Sequence, residues 1–223
     1  EISKGNNLLD PNKLPVHIAI IPDGNGRWAN KRGLPRSTGH RRGSDTLKEI
    51  VKCCARIGIK YLTAYAFSTE NWKRPKDEVD ALMNLLEEFL SRAHEELSGS
   101  DIKINVIGDI TKLPKSLIEK IYDVEIMTKN NAGLQFNIAL NYGGRDEIVS
   151  AIKKICQDVK DSKLEINDIN EQVVNSKLYT YNIPDPDLII RTAGEKRVSN
   201  FLLWQLAYSE LWTCDVLWPD FTE

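Results

Sequence analysis

His17-Ile18-Ala19-Ile20-Ile21-Pro22-Asp23-Gly24-Asn25-Gly26-Arg27-Trp28 is the stretch on which the fold turns. Apart from His17 its first half is a continuous apolar run, the pattern of a strand buried on both faces of a parallel sheet. The run ends in an acid and two glycines. Gly24 and Gly26 let the backbone turn sharply and approach a ligand, so main-chain N–H groups can face phosphate oxygens while Asp23 offers a hard oxygen to Mg²⁺. No acid follows until Asp45, and Arg27, Lys31, Arg32, Arg36, Arg41 and Arg42 all fall in the gap. So much positive charge beside one carboxylate suits a diphosphate and its metal. His40 and Arg36 add to it near the start of a helix, where the helix dipole also favours an anion.

Working outward, strand-like runs recur at 60–67, 102–107, 134–140, 187–191 and 212–217, and helical spacing fills 42–57, 76–98, 114–130, 145–159 and 199–209. This alternation predicts an α/β fold, a single domain over 1–223 with a central, mainly parallel six-stranded sheet flanked by helices. Ligands of such sheets sit beyond the carboxyl ends of the strands. The polar loops 23–28, 68–78, 141–145 and 191–199 all fall there. Neither a Walker P-loop nor G-x-G-x-x-G is present.

In the second loop Ser68 or Thr69 can donate hydroxyls, Asn71 can orient a substrate and Trp72 can form an apolar wall, while Pro75, Asp77 and Glu78 fit a helix start. The loop from Arg191 to Asn200 sets Arg191, Arg197 and Ser199 around a glycine, and arginine forks with a hydroxyl match diphosphate oxygens. Two basic, glycine-bearing loops at one sheet edge suggest two phosphate-bearing substrates. The 79–97 helix carries Leu85 beyond its regular stripe, which leaves both ordinary core and a ligand tunnel open.

With 223 residues and 41% hydrophobic composition, the chain can bury one substantial core. A net charge of −2 argues against a general nucleic-acid binder. Cys53, Cys54, Cys156 and Cys214 lack metal-like spacing and fit a reducing compartment. There is no secretory signal and no apolar run near the ~20 residues that span a bilayer, so the expectation is a soluble, cytoplasmic protein with residues 1–13 flexible.

The motifs His17–Ala29, Tyr65–Trp72 with Arg74-Pro75, Asn141–Arg145, Arg191–Glu195 with Arg197, Ser199–Gln205 and Trp218–Phe221 resemble, in order and over nearly the whole chain, the cis-prenyltransferase family and its bacterial members in particular. The resemblance implies a homodimer with a hydrophobic tunnel between sheet and helices. It implies Mg²⁺-dependent condensation of isopentenyl diphosphate with an allylic diphosphate such as farnesyl diphosphate, cis at each new double bond. The implied product is undecaprenyl diphosphate for the cell-wall lipid carrier, with shorter- and longer-chain synthases as alternatives. Transient membrane contact for product release also follows.

By the same resemblance, Asp23 holds Mg²⁺ against the allylic diphosphate, and Glu210 is a second metal-site acid that assists Mg²⁺ and substrate binding near the dimer interface. Gly24, Asn25, Gly26, Arg27, Trp28, Arg36 and His40 belong to the allylic site, and Arg191, Arg197 and Ser199 to isopentenyl diphosphate. Ser68, Glu70, Asn71, Trp72, Arg74 and Glu78 match a loop that closes over the substrates, with Asn71 helping to remove the proton. Pro22 stands where the family commonly has Met, and many members continue past the position of Glu223 into a short basic tail. Non-catalytic partner subunits share this fold, but Asp23, Arg27, Arg191, Arg197 and Glu210 are all present here, which favours an enzyme. Without the resemblance the competing reading is a Mg²⁺-dependent phosphate-ester hydrolase, and the lack of further carboxylates clustered near Asp23 speaks against it.

Overall fold

The computed structural model describes residues 10, 13–96 and 101–223. β1 (His17–Ile21) is buried at every position and pairs in parallel with β2 (Tyr61–Ser68) on one side and β5 (Leu188–Arg191) on the other. With β3 (Lys103–Ile107), β4 (Gln135–Tyr142) and β6 (Glu210–Thr213) they form one six-stranded sheet in the order β3-β4-β2-β1-β5-β6, parallel throughout. The chain builds outward from β1 in one direction, then returns to add β5 and β6 on its other side. The expected architecture is found, with the last strand at 210–213 rather than 212–217. Apart from Asp10 and Lys13, the expected flexibility of 1–13 concerns residues outside those described.

Two helices, one at Asn25–Lys31 and a short one at Glu171–Asn175, lack a counterpart in the apolar periodicity. α1 (Asn25–Lys31) begins inside what reads as a glycine turn, and its N-cap Gly24 has φ +105°, a conformation that side chains disfavour. α1 crosses α2 (Arg36–Ile57) where a Cβ on Gly39 would lie 2.1 Å from the Asn25 carbonyl oxygen and one on Gly43 2.2 Å from Asn25 Oδ1. These two glycines let Asn25 sit directly on α2. α2 starts at Arg36, ahead of the apolar stripe, after Pro35 as its N-cap. α3 (Lys76–Glu96), α4 (Lys115–Thr128) and α5 (Gly144–Lys160) follow the expected spans closely, and a short α6 (Glu171–Asn175) comes next. No helix among the described residues is long and apolar enough to cross a membrane.

The helix expected over 199–209 does not form. Ser199, Asn200 and Leu202 all have positive φ, and only Gln205–Tyr208 makes a 3-10 turn. The apolar spacing there reflects burial of Phe201 and Leu202 in a second core with Ala19, Ile21, Ala139 and Tyr142, on one face of the sheet. The larger core, on the other face, packs Ile18, Ile20, Leu62, Phe136 and Ile138 against apolar residues of α2, α3 and α4 and against Trp218.

A polar row crosses the second face at the start of the strands. The His17 Nδ1 atom lies 2.6 Å from the Pro184 carbonyl, which can only accept, so Nδ1 carries the proton and Nε2 accepts from the Thr63 hydroxyl at 2.7 Å. Thr63 in turn accepts from Asn137 Nδ2 at 3.2 Å, and Asn137 Oδ1 accepts from Asn105 at 3.0 Å and from Gln135 at 2.9 Å. Burial holds His17 below its ordinary value of 6.5. The unfolded chain therefore takes up this proton first, and His17 costs stability as pH falls below 6.5 towards its folded value. His17→Gln should lower stability at pH 7.5 by about 2 kcal/mol through loss of the network, roughly 4–8 °C for a chain of this size. It should also flatten the decline in melting temperature between pH 7 and 5, measured by thermal unfolding across pH.

Candidate active site

The site starts from register. Ile21 pairs with Arg191, so Asp23, just beyond β1, stands at the end of β5. Arg191 Nη2 donates to Asp23 Oδ2 at 2.8 Å, and the Gly24 N–H donates to Oδ1 at 2.7 Å. Thr192 Oγ1 fixes the Asp23 backbone, donating to its carbonyl at 2.7 Å and accepting its N–H at 3.0 Å. Pro22 follows the last paired residue of β1, so its missing N–H removes no ladder bond.

Arg191 is only 3% exposed. Its Nη1 donates to Ser199 Oγ at 2.7 Å and to the Arg197 carbonyl, while Nε is buried without a partner among the described residues. At the rim, Arg27 pairs with Glu195 at 3.1 Å and lies 3.7 Å from Asp23 Oδ1, and Glu195 also holds Arg197. Across the opening, Glu78 Oε1 accepts from Arg74 at 2.8 Å and faces His40 Nε2 at 3.4 Å and Arg36 Nε at 3.8 Å. Burial opposes the charge on Glu78, but the charges of Arg74 and Arg36 and the hydrogen bonds from Arg74 and His40 outweigh it and hold the carboxyl below its ordinary range. Burial, reinforced by Arg74, also lowers His40, so it is neutral at neutral pH.

Between these groups lies a cavity of about 650 Å³. Of the residues expected at the site, Asp23, Asn25, His40, Ser68, Glu70, Asn71, Arg74, Arg191, Arg197 and Ser199 line it. Tyr65 and Ala66 line it as well; Tyr65 stacks on Phe201 with ring centres 4.4 Å apart and donates to the Tyr142 carbonyl at 3.1 Å. Past Ala66 and Leu82 the cavity meets an apolar recess of about 80 Å³, bounded by Leu47, Leu85, Leu86 and Phe89. A separate groove of about 610 Å³ opens outward between α2 and α3, with Leu82 and Leu85 forming part of both walls. Apolar residues of α2, α3 and the sheet thus surround a small recess where the tunnel is expected.

Several expected residues lie elsewhere. Trp28 donates to Asp220 at 2.7 Å with the Arg32 guanidinium 4.2 Å above its ring, so it ties α1 to the turn at Trp218–Asp220. Trp72 donates to Asn141 Oδ1 at 2.8 Å and packs edge-on against Phe67, fastening its loop to β4 rather than walling the cavity. Gly26 lies under Arg36, whose Nε would be 2.9 Å from an added Cβ, and the Arg36 side chain borders the outer groove. The Gly24 N–H is spent on Asp23, whereas those of Asn25, Gly26 and Arg27 precede the first intrahelical bond, from Trp28 N to the Gly24 carbonyl. Asn71 Oδ1 accepts the Ser68 N–H at 3.1 Å, which orients the Asn71 amide within its loop.

Glu210 is exposed and pairs in register with Leu188, at the opposite end of β5 from Arg191. Within one chain it cannot share a cation with Asp23. Among the described residues no cluster of three or more His, Cys, Asp or Glu surrounds a common point. Asp23 does fit a metal that takes one carboxylate and completes its shell with phosphate oxygens and water, the habit of Mg²⁺.

A family model described as "Putative undecaprenyl diphosphate synthase" matches residues 21–223. The isoprenyl transferase of Clostridium tetani is 55% identical over 96% of this chain and 84% of its own length. The ditrans,polycis-undecaprenyl-diphosphate synthase ((2E,6E)-farnesyl-diphosphate specific) of Pasteurella multocida is 52% identical over 96% of this chain and 90% of its own. The structure of lavandulyl diphosphate synthase from Lavandula x intermedia, solved with dimethylallyl diphosphate, is 42% identical and superposes with a TM-score of 0.91, covering 94% of this chain and 90% of that one. A match that begins on the last residue of β1 and runs to the final residue takes in every loop gathered around Asp23: the chain belongs to the undecaprenyl diphosphate synthase family and is a cis-prenyltransferase.

Proposed function

We propose that this prenyltransferase condenses isopentenyl diphosphate with an allylic diphosphate such as farnesyl diphosphate and extends it, cis at each step, to undecaprenyl diphosphate. The observation that carries this reading is the presence of two cationic groups either side of Asp23 over a cavity that leads into an apolar recess. Arg191, Arg197 and Ser199 hold the diphosphate of isopentenyl diphosphate by charge-assisted hydrogen bonds. The N–H groups of Asn25, Gly26 and Arg27, with the side chains of Arg27, Arg36 and His40, receive the allylic diphosphate. Mg²⁺, held by Asp23, would add positive charge that stabilises the leaving diphosphate.

As the allylic C–O bond breaks, the isopentenyl double bond attacks the cation-like carbon, and a proton then leaves the isopentenyl unit. Asn71 orients that unit through its amide N–H, and the released diphosphate carries acceptor oxygens in the same cavity. The arginines are already fixed by Asp23, Glu78, Glu195 and Ser199, so they need little reorganisation as charge develops. Tyr65, Ala66 and Leu82 turn the reacting end away from the outer groove and limit water. The recess of about 80 Å³ is much smaller than the cavity of about 650 Å³ that it meets, so a farnesyl tail entering it would displace Leu85, Leu86 and Phe89 on α3.

A homodimer through β6 completes this reading. β6 is an edge strand, and Leu211 and Trp212 on it are 46% and 48% exposed. An apolar open edge invites strand or side-chain pairing, and pairing of two such edges would bury it.

Asp23→Ala should reduce incorporation of labelled isopentenyl diphosphate into lipid by about 100-fold or more, and EDTA should abolish it in the wild type; retention of elongation in either case would overturn the role of Asp23. Ala66→Leu adds bulk where cavity meets recess and should shift the product ladder to shorter chains on reversed-phase separation. Trp212→Glu should convert a dimer to a monomer in sedimentation, and an unchanged sedimentation coefficient would place the interface elsewhere.

A further inference from the structure

The loop carrying Arg197 and Ser199 and the loop carrying Ser68, Glu70 and Asn71 come from opposite sides of the sheet's centre, yet they meet at one side chain. Asn200 has φ +64° and follows Ser199 at φ +48°, a left-handed pair that asparagine tolerates better than most residues. The turn carries the Asn200 carboxamide across to α5. There the Asn200 carbonyl accepts the Gly144 N–H at 2.7 Å and its Oδ1 accepts the Arg145 N–H at 2.9 Å. α5 gets no cap from its own Gly143, so Asn200 supplies from a distant segment what an N-cap residue normally supplies locally. With its other end Asn200 Nδ2 donates to Glu70 Oε1 at 2.9 Å.

The three segments could not approach this closely with a side chain at Gly143, where an added Cβ would lie 2.6 Å from Thr69 Oγ1 and 2.8 Å from Asn200 Nδ2. Burial raises the Glu70 carboxyl, but the bonds from Asn200 and from its own loop outweigh this and keep it below its ordinary range, hence charged. Glu70 lines the cavity, but its carboxylate faces Asn200, which suits an acid next to bound diphosphates better than contact with them would.

We propose that Asn200 is a positioning residue that couples the two loops, so that ordering of the Arg197–Ser199 loop by isopentenyl diphosphate also fixes the Ser68–Trp72 loop over it. The inference rests on the reading of the site given above. Its physical content is the Asn200–Glu70 bond, since the bonds to Gly144 and Arg145 alone would make Asn200 only a helix cap.

Asn200→Asp separates these roles. It keeps oxygens for the α5 N–H groups but has no donor for Glu70 and sets two carboxylates together. Adding Glu70→Gln restores a hydrogen bond with its direction reversed. Asn200→Asp should raise KM for isopentenyl diphosphate about tenfold, with a smaller change in KM for the allylic substrate, and the double variant should recover most of that loss. Hydrogen exchange at residues 69–74, read without substrate, should quicken in Asn200→Asp and return in the double variant. Because exchange needs no turnover, this arm decides the coupling even if the wild type makes no polyprenyl product, an outcome that would sink the proposed reaction instead. Unchanged exchange, or exchange and KM that stay impaired when Glu70→Gln is added, would reduce Asn200 to a cap.

Discussion

The parallel register between β1 and β5 is the constraint from which the site follows. β1 is the strand at which the chain reverses its direction of building, with β2, β4 and β3 to one side and β5 and β6 to the other. Connections leaving β1 and β5 must diverge, and a crevice opens between their carboxyl ends, where ligands of open α/β sheets bind. Pairing of Ile21 with Arg191 sets the depth of that crevice. A slip of one residue would turn Arg191 to the opposite face and away from Asp23. The Asp23–Arg191 pair is therefore a product of strand order and register more than of the loops that surround it.

Around that pair the protein solves a problem of like charge. Arg27, Arg36, Arg74, Arg191 and Arg197 lie near one opening, with Asp23, Glu78 and Glu195 distributed among them. Each carboxylate touches at least two cationic groups, which keeps the arginine forks in place and limits their mutual repulsion. An arriving diphosphate meets donors already oriented, but it also competes with these internal anions. The selectivity of the opening then depends on the ligand offering more charge, in better geometry, than the carboxylates already present. Neutral His40 fits the same logic, because a further positive charge between Arg36 and Arg74 would be unfavourable.

Much of this was legible in the sequence because it rests on local rules. The apolar runs located all six strands, and the polar loops expected after them include those that carry Asp23 and Arg191 to one sheet edge. What escaped depended on contacts across the chain. α1 was hidden because Gly24-Asn25-Gly26 has poor helix propensity, and its packing on Gly39 and Gly43 supplies what propensity lacks. The segment after Ser199 has helical apolar spacing, yet three positive φ angles and the pull of α5 on Asn200 bend it away. Trp72 looks like a ligand wall by residue type, and Trp28 falls in the allylic site by resemblance alone; only the structure shows the indole hydrogen bonds by which Trp28 holds Asp220 and Trp72 holds Asn141. Only strand register shows that Glu210 stands, within one chain, at the opposite end of the sheet from Asp23. No residue type or spacing could have singled out Asn200, since its partners are about 55 and 130 positions away.

The same register governs how the molecule is made. Ile18 pairs with Leu188, 170 residues later in the chain. At synthesis rates of about 5–20 residues per second, β1 leaves the ribosome roughly 10–35 s before β5 exists to cover its second edge. Through that interval the most apolar strand of the sheet can pair only with β2. Long-range parallel pairing is slow in any case, because the loop entropy must be overcome before the contacts form. The nascent protein thus carries its central strand half-covered until β5 emerges. Its exposure to misassembly is concentrated in that interval and ends when the strand that completes the catalytic crevice also closes the core.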